Sequence, residues 1–118
     1  MTTNNLREEF NLTAIQAVRR LNAAALESAL ARGDDPNETD QYGMTALHHA
    51  AAKGERPCIR LLVASGKCDY LLRDNKGRYA FELAIQWGRD FAVARLLMKK
   101  QAMQAHERGV PTFVLRDS

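Results

Sequence analysis

The stretch that decides the fold is Asp40-Gln-Tyr-Gly-Met-Thr-Ala-Leu-His-His-Ala-Ala-Ala-Lys-Gly54, and a related stretch follows it, Asp74-Asn-Lys-Gly-Arg-Tyr-Ala-Phe-Glu-Leu-Ala-Ile-Gln-Trp-Gly88. Aspartate, glycine, two alanines and a final glycine recur in the same order, with an offset of 34 residues from Asp40 to Asp74. Self-similarity at a fixed period of this size is typical of repeat proteins. The sequence therefore predicts a stack of similar units.

A second apolar run follows each of these stretches, at residues 58–63 and 91–98. Ile59, Leu62 and Val63 are spaced so that they share one face of a helix, and residues 91–98 repeat this spacing. The sequence pattern of each unit therefore predicts a turn, a short helix, a break at glycine and a second helix. One such helix pair cannot bury both of its faces, so about three must stack to form a core.

Short-range signals agree with this division. Asp40 and Asp74 are suited to the start of a turn, where the carboxylate can accept hydrogen bonds from the backbone ahead. Thr45 is suited to the N-cap of the first helix. We expect Gly54 and Gly88 to occupy left-handed or tight turns between the two helices of a unit.

Residues 40–73 resemble the ankyrin repeat, whose pattern is a turn of Asp-x-x-Gly-x-Thr-Pro-Leu-His-x-Ala-Ala, then glycine, a second helix and a closing glycine. Ala46 stands where proline is commoner. One extra residue near Lys67 accounts for an offset of 34, against the usual length of about 33.

Residues 74–106 resemble the same pattern less closely. Tyr79 replaces the threonine, Phe81 the leucine and Glu82 the histidine. In the family the threonine and histidine tie the turn to the helix. The resemblance therefore implies that this repeat is looser or acts as a cap.

A weaker copy lies upstream. Residues 33–39 resemble the close of a preceding repeat, and residues 13–16 fall where Thr-Pro-Leu-His is expected, with one residue missing near Leu21. The resemblance implies an all-α repeat fold, an ankyrin-type solenoid of about three helix-turn-helix repeats with short turn or hairpin tips. The expected organisation is a single domain at 1–109, with repeats at 9–39, 40–73 and 74–106, and a tail at 110–118. The tail is expected either to fold back over the last helix or to dock to a partner as a strand.

The resemblance also implies a function, the binding of a partner protein as an adaptor, an inhibitor or a complex subunit, without catalysis. In such stacks the partner usually meets the turn tips and the inner face of the first helices. Carried onto this sequence, the tip positions are Thr39, Gln41, Tyr42, Met44, Arg73, Asn75, Lys76 and Arg78, and the inner-helix positions are Ala52, Lys53, Gln86 and Trp87.

Trp87 is the strongest single candidate among these residues. A large aromatic side chain facing the groove has little structural reason to be there, and tryptophan is enriched at binding hot spots. The alternative is that Trp87 packs against the last repeat or the tail.

Charge is unevenly spread along the chain. Residues 1–59 hold six Lys and Arg against eight Asp and Glu, whereas residues 60–118 hold eleven against six. The cationic C-terminal half favours a partner with an acidic patch. The alternative is a nucleic acid or another polyanion, although no nucleic-acid-reading motif is present.

Several other classes are disfavoured. His48 and His49 point about 100° apart on a helix and have no ligand-type neighbour at suitable spacing, so no metal or other cofactor is expected. No nucleophile elbow or phosphate loop indicates an enzyme. Cys58 and Cys68 are expected to be buried thiols.

The remaining expectations concern location and assembly. No apolar run is long enough to span a membrane, and the N-terminus lacks the features of a signal peptide. A cytoplasmic protein is therefore expected, as a monomer or as part of a hetero-complex.

Overall fold

In a computed structural model, the structure describes residues 11–110, and these residues form helices and turns without a strand. The helices are α1 (Ala14–Arg19), α2 (Ala23–Ala31), α3 (Ala46–Lys53), α4 (Arg56–Ala64), α5 (Ala80–Leu83) and α6 (Phe91–Glu107), with a π-helical turn (Ala84–Gly88) directly after α5. They pack as three pairs, α1 with α2, α3 with α4 and α5 with α6. The predicted all-α stack of three helix pairs is confirmed.

The pairs stack in two layers. In the first layer α1 packs on α3 and α3 packs on α5, and in the second α2 packs on α4. Ala46, Ala50 and Ala51 of α3 are fully buried, and these small side chains let the neighbouring first helices approach closely. By contrast, α4 and α6 make little contact with each other. The second layer is therefore open on that side.

Each first helix begins with a similar cap. Thr13 Oγ1 accepts the amide of Gln16 at 3.2 Å, and Thr45 Oγ1 accepts the amide of His48 at 3.2 Å. The predicted capping role of Thr45 is thus confirmed. In the third pair the Tyr79 side chain makes no such bond. The reciprocal bond to the N-cap amide is kept in all three pairs, from Thr13 to Gln16, from Thr45 to His48 and from Tyr79 to the Glu82 carboxylate at 2.7 Å. These bonds satisfy amides that a helix start leaves without partners.

The first helices differ in length, and the backbone absorbs the difference where each one ends. Helix α1 has six residues and α3 has eight, whereas α5 has four and continues into a π-helical turn of five. A residue with left-handed backbone follows each of these segments. It is Leu21 (φ 56°) after α1, Gly54 (φ 64°) after α3 and Arg89 (φ 53°) after the π-helical turn. The shortened α1 agrees with the residue missing near Leu21.

This result corrects the expectation for Gly88 in part. Gly54 occupies the predicted left-handed turn, but in the third pair Arg89 takes that conformation. Glycine is required at 88 for a different reason, since a β-carbon there would overlap the carbonyl oxygen of Ala51 in α3. Gly88 therefore allows the last pair to lie against the central one.

The last helix closes the stack. Helix α6 has 17 residues against nine in α2 and nine in α4, and it ends at Glu107, two residues before Gly109, whose amide donates to the carbonyl of His106. Near its end, Gln104 donates to the carbonyl of Cys68 at 2.8 Å and accepts the amide of Tyr70 at 2.7 Å. The tail predicted at 110–118 lies outside the described residues except for Val110, and the predicted repeat boundaries stay predictions.

Candidate functional site

The tip of the central pair is organised around Asp40. Its carboxylate accepts the amides of Tyr42 and Met44, each at 3.0 Å, and lies 2.8 Å from Nε2 of His49. Burial disfavours the charged carboxylate, but the hydrogen bonds from His49, Met44 and Tyr42 outweigh it and hold the pKa of Asp40 below its ordinary value. The predicted turn start is therefore confirmed, and it fixes the backbone that presents Tyr42.

The tip of the last pair is organised in the same way around Asp74. Its carboxylate accepts the amides of Lys76 and Arg78 at 2.9 Å each, and the guanidinium of Arg78 at 2.9 Å. Burial opposes ionisation of this group too, but these donors outweigh it and keep the pKa of Asp74 low. The Arg78 side chain, expected to meet a partner, is thus engaged within its own tip.

The two tips contact each other. The Asn75 amide donates to the carbonyl of Tyr42 at 2.9 Å, and the Asn75 side-chain amide donates to the carbonyl of Gln41 at 3.0 Å. Three of the predicted partner-binding residues are therefore brought together. The Gln41, Tyr42 and Asn75 residues are all exposed. These hydrogen bonds make the tips a continuous ridge.

His48 ties the central pair to the last tip. Its Nδ1 lies 3.2 Å from the Thr45 amide and 2.9 Å from Thr45 Oγ1, while Nε2 lies 3.1 Å from the carbonyl oxygen of Arg78. This geometry fits a neutral ring with its proton on Nε2. Burial lowers the pKa of His48, which favours the same neutral form. His48 ties the helix to its own turn, as the resemblance implies, and also joins the central repeat to the last one.

The side chains of Arg73, Tyr79 and Phe81 form a cluster at the last tip. The rings of Tyr79 and Phe81 stack with centroids 6.0 Å apart, and the guanidinium of Arg73 lies 4.9 Å from the Tyr79 ring centroid. Arg73 remains exposed in this arrangement, so its charge is held in place over the ring and not removed from the surface.

The first-helix positions form the second part of the surface. Trp87 is 66% exposed and Tyr42 is 58% exposed. Lys53 and Gln86 are exposed as well, whereas Met44 is half-buried against the core. Two large aromatic side chains therefore face solvent, Tyr42 at the tip of the central repeat and Trp87 at the C-terminal end of the first helix of the last repeat.

Sequence reasoning overlooked Ile85, which is also exposed. It belongs to the π-helical turn with Gln86 and Trp87, and the wider turn places all three on the surface. The sequence contains a signal for the wider turn. The acidic residue suited to cap α6 is Asp90, one position later than a strict 34-residue repeat from Glu55 requires, so the segment before α6 must hold one extra residue.

Other kinds of site gain no support within residues 11–110. That part of the chain holds no group of three His, Cys, Asp or Glu side chains arranged to bind a metal ion. Likewise, none of its helices combines the length and the apolar character needed to cross a membrane. Cys58 and Cys68 are buried, as expected, and burial raises the pKa of each thiol to about 11, which suppresses the reactive thiolate.

Comparison with known proteins places these features in a family. The chain is 29% identical over 110 residues to Alpha-latroinsectotoxin-Lt1a of Latrodectus tredecimguttatus, which covers 92% of this chain and 8% of the toxin. It is 39% identical over 75 residues to Potassium channel AKT2/3 of Arabidopsis thaliana, covering 64% of this chain and 9% of the channel. It is 28% identical over 102 residues to SH3 and multiple ankyrin repeat domains protein 2 of Homo sapiens, covering 86% of this chain and 6% of that protein.

The chain thus spans less than a tenth of the length of each of these relatives. A family model described as Ankyrin repeats (3 copies) matches residues 14–107. These are the residues of the three stacked helix pairs, and the match covers most of the sequence. The chain belongs to the ankyrin-repeat family.

Proposed function

We propose that this protein binds a partner protein through a concave surface formed by the two tips and the first helices of the central and last repeats. Ankyrin repeats are in general protein–protein interaction modules and are typically non-catalytic. The finer proposal is that the chain acts in the cytoplasm as an adaptor, an inhibitor or a complex subunit. The observation that carries it is the exposure of Trp87 in the π-helical turn that ends the first helix of the last repeat.

The energetic argument begins with the aromatic residues. Tyr42 and Trp87 offer large areas that gain free energy when a partner removes them from water, and both residue types are common at hot spots. The hydrogen bonds of Asp40 and Asn75 hold the tips before binding occurs. A preorganised surface loses less conformational entropy on association.

Charge supports a partner with an acidic patch. Lys53, Arg73 and Lys76 are exposed on this surface, while Arg78 is already paired with Asp74. Three exposed cations favour association with an acidic surface and suppress association with a basic one. The nucleic-acid alternative gains nothing from this geometry, because the exposed cations do not form an extended stripe with aromatic residues.

The test compares Trp87→Ala with Phe91→Ala. Both side chains are exposed aromatics, but Phe91 belongs to α6 in the second layer. Affinity capture from the native source, followed by mass spectrometry, should lose its specific partner with Trp87→Ala and retain it with Phe91→Ala. The melting temperatures of both variants should stay close to that of the wild type, because neither side chain is part of the core.

Two results would contradict the proposal. A large fall in the melting temperature of Trp87→Ala would mean that this side chain packs within the chain. Capture that is unchanged by Trp87→Ala would remove the concave surface from consideration.

Recovery of the partner should also fall as salt concentration rises, since exposed charges are screened, and a salt-independent affinity would exclude the acidic patch.

A further inference from the structure

The second layer contains an apolar groove between α4 and α6, away from the concave surface. Its volume is about 510 Å³, and its lining residues are Arg56, Ile59, Arg60, Val63, Ala64, Ala92, Val93 and Leu96. All the aliphatic members come from two helices that make little contact with each other, whereas α2 and α4 pack together. The groove is therefore a gap in the stacking of the second layer.

The groove has a defined floor, wall and end. Ile59 and Val93 are buried and form its floor, whereas Leu96 is 39% exposed on its wall. At the N-terminal ends of the two helices, Arg56 Nε donates to Asp90 Oδ2 at 2.7 Å and Arg56 Nη2 donates to Asp90 Oδ1 at 2.9 Å. This pair bridges α4 and α6 and closes one end of the groove.

The apolar surface continues along α6. Ala92, Leu96 and Met103 follow helical spacing and lie on one face, with Lys99 at its edge, and Met103 is exposed. The rise from Ala92 to Met103 is roughly 16 Å, which is about three turns of helix. A partner helix of that length can cover the whole face.

Basic residues predominate along the groove, and the acidic residues at the start of its two helices are the N-caps Glu55 and Asp90, of which Asp90 is paired with Arg56. The basic residues of the two helices are Arg56, Arg60, Arg95, Lys99 and Lys100, and the only acidic residue within them is Glu107, at the far end of α6. Arg56 is paired with Asp90, but Arg60 is exposed on the rim. An acidic occupant complements this rim, and a basic one is repelled.

We propose that this groove, which we call the outer groove, binds an amphipathic helix of a partner protein. The helix has one apolar face that covers Ile59, Val63 and Leu96, and acidic residues along its edges that meet Arg60 and Lys99. Such helix-in-groove recognition needs an apolar groove of a few turns with charged rims. The outer groove shares no residue with the concave surface, so the two surfaces can be occupied together.

The test uses a synthetic, fluorescently labelled helical peptide of about four turns, with leucines on one face and glutamates elsewhere, titrated with the full chain by fluorescence anisotropy. A second peptide has the same composition with its leucines spread around the helix, and a third has lysine in place of glutamate. We expect the first peptide to bind at least about tenfold more tightly than either control, a difference of about 1.4 kcal/mol.

Matched variants locate the peptide. Leu96→Gln should weaken binding at least about tenfold, whereas Met98→Gln, which changes a 46% exposed residue on another face of α6, should leave it unchanged. Arg60→Glu should weaken binding and Arg20→Glu, in the first repeat, should not. Ala92→Trp fills the outer groove from an exposed position, without removing a core side chain, and should block the peptide.

Several outcomes would overturn the proposal. Equal affinity for the peptides with ordered and spread leucines, or no effect of Leu96→Gln, would show that the outer groove is not the binding surface. If the peptide bound only after Phe113→Ser and Leu115→Ser were introduced together, the wild-type tail would be the occupant of the outer groove. If the chain self-associated and Ala92→Trp abolished that association, the occupant would be a second copy of the chain. Trp87→Ala should not change peptide affinity, so this test is independent of the function proposed above.

Discussion

The central and last repeats begin alike and end differently. Both start with an aspartate that accepts backbone amides and the side chain of a basic residue, His49 for Asp40 and Arg78 for Asp74. After α3 the chain turns at Gly54, whereas after α5 it passes through a π-helical turn and then Arg89. An extra residue in a repeat is therefore absorbed where the first helix ends, and the tip keeps its geometry.

This extra residue has a consequence for the second layer. The N-caps of α4 and α6 are Glu55 and Asp90, which are 35 positions apart, while the aspartates of the tips are 34 apart. Helix α6 therefore begins one residue late relative to α4. The delay does not rotate α6, because its buried residues Val93, Ala94 and Leu97 lie at the same distances from their cap as Cys58, Ile59 and Leu62 of α4.

The last repeat also differs in how it is tied to its neighbours. His48 of the central repeat reaches the carbonyl of Arg78, but the last repeat has no following tip within the described residues, and Glu82 stands at the corresponding position. At the loops after the second helices, Asn37 bonds to Lys67 and Asp69, and Gln104 bonds to Cys68 and Tyr70 from within the elongated α6. The last repeat was expected either to be looser than the others or to act as a cap, and these contacts favour a cap.

The largest expected effect concerns the contact between the two repeats at Gly88. Gly88→Ala places a β-carbon against the backbone carbonyl of Ala51, and backbone atoms of two packed helices cannot move aside cheaply. We expect a loss of about 3 kcal/mol in the free energy of unfolding, measured by urea denaturation.

The control for this prediction is Gly66→Ala. Gly66 has φ 71° and open space around its Cα, so that variant carries the backbone cost alone, about 1 kcal/mol. If Gly66→Ala proved the more destabilising of the two, the close approach of the central and last repeats would not be what requires glycine at 88.

A smaller effect is expected from the ties themselves. His48→Ala removes the helix cap and leaves the Arg78 carbonyl without its donor, which should cost about 2 kcal/mol. Glu82→Ala removes a cap but no bond between repeats and should cost about 1 kcal/mol. Equal losses in urea denaturation would show that the bond between repeats contributes nothing.

The smallest expected effect is on the pH dependence of stability. The pKa of His48 lies below its ordinary value of 6.5 in the folded chain because the ring is buried, so on acidification the unfolded chain takes up this proton first. The contribution of His48 is therefore complete above pH 6.5 and is lost as the pH falls below that value. Asp40 and Asp74 have lowered pKa values as well, and their contributions are lost only below their ordinary value of 3.8.

Thermal unfolding between pH 7 and pH 5 checks this dependence. His48→Gln provides the matched variant, because Gln16 already makes this cap in the first repeat. The variant should keep most of the stability of the wild type and lose the dependence on pH in that range. An unchanged dependence in His48→Gln would assign it to another group.

Much of this fold is readable from residue type and spacing. The turns at Asp40 and Asp74, the cap at Thr45 and the burial of Ala50 and Ala51 follow from local rules, because each depends on a few neighbours in the chain. The role of the candidate site residues is less local. Arg78 and Arg73 read alike as exposed cations, yet one pairs with Asp74 and the other lies over Tyr79.

The amino-acid sequence alone established the repeat, its period and the helix pair in each unit, because the spacing of apolar residues and glycine reflects contacts within a unit. Tertiary structure decided the rest. The requirement for Gly88 comes from Ala51 of another repeat, and the outer groove is formed by side chains of α4 and α6, which belong to different repeats. Both depend on contacts between units, which the spacing of residues within one unit does not specify.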